Sequence, residues 1–70
     1  MMHPTSNTHH RTAILTDGKI VSVTAEKLTR DYAILINGVR SRSVYEESEW
    51  EECAYMMVKH RHGEIKEWKS

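Results

Sequence analysis

Seventy residues carrying ten basic and ten acidic side chains, with a formal net charge of zero, allow one small domain. The balance argues against a general nucleic-acid binder, which is usually basic overall. The longest apolar run, Tyr32-Ala33-Ile34-Leu35-Ile36, falls far short of the roughly 20 residues a membrane span needs, so no membrane partner is expected.

Cys53 is the single cysteine, which excludes a disulfide within the monomer. No Cys/His set has structural-zinc spacing. A chain this short buries only about 60% of its unfolded surface on folding. With no covalent or metal staple, association is the remaining stabilising device, and a homodimer or a bound protein partner is expected.

Residues 1–10 are polar, hold Pro4 and three histidines, and show no periodicity; they read as a disordered arm ahead of a single domain over 11–70. The segment MMHPTSNTHHRT has no apolar core, so no signal peptide is expected and the chain reads as cytoplasmic, with Cys53 reduced. A free N-terminal amine, two amides and the His3 imidazole would form a nitrogen set suited to Cu(II) or Ni(II). Such termini arise by chance, and no metal or other cofactor is expected.

From Arg11 the pattern becomes β-rich. RTAILT and KIVSVT flank Asp17-Gly18, and DYAILI and VRSRSVY flank Asn37-Gly38. A two-residue Asp-Gly or Asn-Gly link between such runs predicts a type I′ hairpin, whose two central positions need φ > 0. Between the hairpins, AEKLTR is polar apart from Leu28 and reads as a loop.

The C-terminal third reads as a helix from about Glu49 to His62. Ser48-Glu49-Trp50-Glu51 matches a capping box, and Trp50, Cys53, Ala54 and Met57 form an i, i+3, i+4, i+7 apolar stripe. Glutamates crowd the start and Lys59, His60, Arg61 and His62 the end, complementing the helix dipole. Gly63 stands where a C-terminal cap belongs. GEIKEWKS fits either a tail packing Trp68 or a short fifth strand. The predicted fold is therefore α+β: an antiparallel sheet of about four strands, in two type I′ hairpins, backed by one helix.

Two-residue loops fix register, and register fixes faces. Around Asn37-Gly38, Ile36 would pair with Val39, Ile34 with Ser41 and Tyr32 with Ser43, leaving Leu35 beside Arg40 and Ala33 beside Arg42 on the outer face. Around Asp17-Gly18, Ile14 would pair with Val21 and Thr12 with Val23, leaving Leu15 beside Ile20. One helix covers one sheet face, so either the tail around Trp68 sandwiches the first hairpin, or Leu15, Ile20 and Leu35 form an exposed patch flanked by Arg40 and Arg42. An apolar patch with a polar rim marks an interaction surface.

No catalytic set emerges. Cys53 lies in the apolar stripe and behind glutamates, the wrong setting for a reactive thiolate. The carboxylates from Glu46 to Glu52 are explained by a solvated helix start. The glycines are turn and cap residues, so no phosphate loop remains. The expected function is non-enzymatic: regulation or inhibition of a protein partner through Leu15, Ile20, Leu35, Arg40 and Arg42. The alternative is a β-ribbon binding nucleic acid through Lys27, Arg30, Arg40 and Arg42, since a two-stranded ribbon fits the major groove.

Overall fold

A computed structural model describes residues 8–70. Its elements are β1 (Thr8–Leu15), β2 (Ile20–Lys27), β3 (Tyr32–Ile36), β4 (Val39–Val44), a 3₁₀ turn (Glu47–Glu49), α1 (Trp50–Arg61) and β5 (Ile65–Lys69). The five strands form one sheet in the order β4-β3-β2-β1-β5, antiparallel at every junction. The α+β prediction holds with one more strand than expected: GEIKEWKS supplies β5, which pairs with β1.

Thr8, His9 and His10 belong to β1 rather than to an arm, and Ala25, Glu26 and Lys27 to β2 rather than to a loop. The remainder of the expected arm, including the His3 site, lies outside the described residues.

The meander runs from β1 to the β4 edge, and α1 then carries the chain across one face to add β5 at the opposite edge. Trp50, Ala54, Met57 and Val58 on α1 are buried against Ala13, Leu15, Val21, Val23, Ala25, Ile34 and Ile36 on the sheet. Cys53 packs partly buried at the margin of this core, 3.9 Å from Met57 Sδ. The stripe read from the sequence is therefore the buried one, with Val58 added.

The turn of the second hairpin is as expected. Ile36 pairs with Val39, and Asn37 (φ 53°) and Gly38 (φ 83°) both take positive φ, as a type I′ turn requires. Asn37 also ties the hairpin to β2: its amide donates to the Ser22 carbonyl (2.8 Å), and its Oδ1 accepts the Ser22 amide (2.9 Å).

The first hairpin is not type I′. Only Gly18 (φ 92°) has positive φ there. The Gly18 amide donates to Leu15 O and the Leu15 amide to Lys19 O, each at 2.9 Å. That is a three-residue loop with its glycine in the left-handed region, and Asp17 Oδ1 accepts the Lys19 amide to brace it. The extra loop residue shifts the register by one: Ala13 faces Val21 and Ile14 faces Ile20. Ala13, Leu15, Val21, Val23 and Ala25 then all share the helix-side face. The I′ register would have put Ala13 and Leu15 on the opposite face from the β2 valines, so core burial decides the turn.

A bulge at Ser41 overturns the expected pairing in β4. Leu35 faces Arg40, but Ile34 faces Arg42, Ala33 faces Ser43 and Tyr32 faces Val44. Strict alternation would have placed Val44 on the open face. The inserted residue returns Val44 to the core margin, at the cost of one unpaired position on an edge strand, where bulges are common.

Ser48 does not cap the helix. Glu49 occupies the N-cap position without a side-chain cap bond. The preceding 3₁₀ turn satisfies the Glu49 amide on Glu46 O (3.0 Å), and Glu51 is drawn to other partners. At the far end Gly63 (φ 128°) ends the helix, its amide returning to Val58 O.

Candidate functional site

The face away from α1 is the candidate site. Pairing lays out its side chains in rows across the sheet. Glu67, Ile14 and Ile20 form one row, and Lys69, Thr12 and Ser22 the next. His10, Thr24, Leu35 and Arg40 form the third, with Glu26, Ala33 and Ser43 beyond it.

Ile20 is 66% exposed, whereas Ile14 and Leu35 are half-buried among their neighbours. Polar side chains between them are partnered within the face: His10 Nε2 lies 3.2 Å from Ser22 Oγ, and Arg40 donates to Ser43 Oγ at 3.2 Å.

The structure redistributes the residues expected to bind a partner. Leu15 is 2% exposed and part of the core, because the three-residue loop turns it inward; Ile14 takes its place beside Ile20. Ile20, Leu35 and Arg40 are on the outer face as expected. Ile20 is four residues along β2 from Thr24, the neighbour of Leu35 on the next strand, so the two aliphatics stand about 14 Å apart with Ser22 between them. Arg42 is exposed but, through the Ser41 bulge, emerges on the helix side of β4.

The alternative set is also split between faces. Lys27 lies on the helix side, its Nζ 4.9 Å from the Tyr32 ring centre. Arg30 is exposed in the β2–β3 loop, and Arg40 and Arg42 occupy opposite faces of β4.

A second polar cluster lies along the seam between the sheet and the start of α1. Arg11 Nε donates to Glu51 Oε2 at 2.7 Å, and the Trp68 indole N–H donates to the same oxygen at 2.7 Å. The Arg11 guanidinium also lies 5.2 Å from the Trp50 ring centre. His9 stacks on Trp50, 5.4 Å between centroids, and its Nε2 lies 2.6 Å from Glu47 Oε2.

The Arg11 hydrogen bond, then that of Trp68, holds the Glu51 carboxyl below its ordinary range. Burial, then the nearby Glu47 carboxylate, pushes the Tyr32 phenol up. These partners are far apart in the chain, so no local sequence signal could reveal them. Their chemistry is that of a clasp: each strong donor meets a carboxylate, and the result pins β1, β5 and α1 together.

Among the described residues no three His, Cys, Asp or Glu side chains converge as a metal site would require, and no helix is long and apolar enough to cross a membrane. The geometry defines a small five-stranded α+β domain with one sheet face that no element of the described residues covers. Comparison with known proteins gave no match to a family model, to a curated protein or to a solved structure.

Proposed function

We propose that the protein is a non-enzymatic binding module that regulates or inhibits a protein partner through its uncovered sheet face. The observation carrying this reading is that α1 covers one face only, while the other presents Ile20, largely exposed, beside Ile14, with Leu35 and Arg40 in a separate row. Aliphatics supply desolvation energy at about 25 cal/mol per Å² buried, and a rim arginine orients the encounter. Polar groups between them, already partnered within the sheet, need not be stripped of water unpaired.

Site-specific photocrosslinking tests it. A photoreactive residue at position 20 or 35 is expected to yield a discrete protein adduct in host lysate, unaffected by nuclease. The same residue at His60 on α1 should not, and Arg40→Glu should weaken the purified complex. Equal labelling from His60, or adducts that vanish with nuclease, would overturn the reading.

One observation favours nucleic acid as a second reading. Arg30, Arg40 and Arg42 are exposed and form no ion pair with the carboxylates of the described residues. Salt separates the two. Phosphate binding falls steeply with salt through counterion release, while an aliphatic-centred interface changes little.

A further inference from the structure

On the helix side of the domain, Ser48, Glu51, Glu52, Tyr55 and Met56 follow one continuous i, i+3, i+4, i+7, i+8 stripe of the helical segment, and Trp68 on β5 walls it. Together they line an open trough of about 610 Å³. We infer that this trough binds a cationic side chain, lysine or arginine, presented by a basic peptide segment of a partner. The inference does not rest on the sheet-face reading, because it uses a different surface and none of the same residues.

Four features select a cation. First, Tyr55 and Trp68 meet edge-on, with centroids 5.2 Å apart and planes at 63°. Such a pair leaves faces of at least one ring uncovered by the other, and an aromatic face carries the negative end of its quadrupole. Second, Trp68 is held in place: its indole N–H is bonded to Glu51, which Arg11 fixes from the sheet side.

Third, the carboxylates are unequal. Glu51 is neutralised by Arg11, whereas Glu52 is exposed and forms no ion pair among the described residues, so it is the free anion of the trough. Fourth, Met56, 44% exposed, offers an apolar wall for the methylene stem that lysine and arginine lay along such surfaces. Among the described residues no basic side chain lines the trough, so an anion would meet repulsion, and a neutral apolar side chain would leave Glu52 facing it unpaired.

The test is a ¹H–¹⁵N titration of the full chain with acetyl-Gly-Lys-Gly-amide and its arginine counterpart. The norleucine and citrulline peptides serve as uncharged controls of similar shape. Expected are saturable shifts of the Trp68 indole N–H and of the Glu52 and Tyr55 amides with the charged peptides, and none with the controls. A response to either charged peptide supports the site, and the tighter of the two names the preferred cation. Glu52→Gln, a surface change that leaves the fold intact, should weaken binding by about threefold, as for an exposed ion pair. Tyr55→Leu should weaken it further. The inference is overturned by the absence of saturable shifts, by equal shifts with norleucine, by unchanged binding in Glu52→Gln, or by shifts centred on Thr24 and Leu35. Failure here would leave the crosslinking result from positions 20 and 35 untouched.

Discussion

Arg11 and Glu51 stand in a 2.7 Å hydrogen-bonded ion pair that joins the first strand to the helix, and the oxygen Arg11 engages is the one that receives the Trp68 indole. One carboxylate thereby holds three elements. Its folded-state pKa lies below its ordinary value, so the ionised form favours folding. That contribution is complete above the usual glutamate range and is lost as pH falls through the lowered folded value. Chemical denaturation across acidic pH should show wild-type stability falling in that window and a shallower fall for Glu51→Gln. With the Glu51 side chain 43% exposed, solvent screens the pair, and Glu51→Gln should cost only about 0.5–1 kcal/mol near neutral pH.

Gly38→Val should cost about 1–3 kcal/mol, because a β-branched residue is strained at the observed φ of 83°. A Cβ at this position meets no atom within 4 Å, so the cost is conformational and not steric crowding. Urea titration of Gly38→Val against Asn37→Gly, which removes the other positive-φ constraint and should be much milder, checks it. A neutral Gly38→Val would contradict the type I′ turn.

Leu15 and Ile20 sit one loop apart and should respond oppositely. Leu15→Ala empties part of the core and should cost about 2–5 kcal/mol, while Ile20→Lys, on the open face, should fall within about 0.5 kcal/mol of wild type. Equilibrium unfolding of the two variants measures the difference. Equal costs would mean that the first hairpin uses the two-residue register after all.

Self-association should use the open face or an adjacent sheet edge. The domain is small, unstapled and apolar around Ile14 and Ile20, and among the described residues the outer edges of β4 and β5 have no strand partner. Light scattering should find a homodimer at micromolar concentration, and Ile14→Lys combined with Ile20→Lys should give a folded monomer. A wild-type monomer at several hundred micromolar would sink the idea and leave the face to a different partner.

What was readable in the sequence, and what was not, divides along the range of the forces involved. Asn37-Gly38 announced its turn because the φ requirement is local, and the Trp50/Ala54/Met57 stripe announced its helix because the period is local. The Asp17-Gly18 turn misled. A dipeptide compatible with two loop lengths is settled by whether Leu15 reaches the core, which only the assembled sheet decides. The Ser41 bulge was hidden for the same reason: burial of Val44 against the core margin outweighs regular alternation, and Arg42 changes face as a consequence. At the candidate site, Leu35 and Arg40 were legible because their pairing survived, and Ile20 because the shifted register still leaves it on the outer face, beside Ile14 instead of Leu15. The clasp of Arg11, Glu51 and Trp68 was not, since it joins residues drawn together only when β5 docks.

That docking sets an order of events. The β1–β4 meander forms from neighbours in the chain, but Lys69 must return to Thr12, closing a loop that contains nearly the whole domain. Loop-closure entropy makes such a contact late to form, and hydrogen exchange is expected to show β5, which has a single strand neighbour, opening more readily than the central strands. Trp68 leaves with it. The indole is therefore a natural reporter of this opening, and the trough it walls exists only in molecules whose last strand is in place.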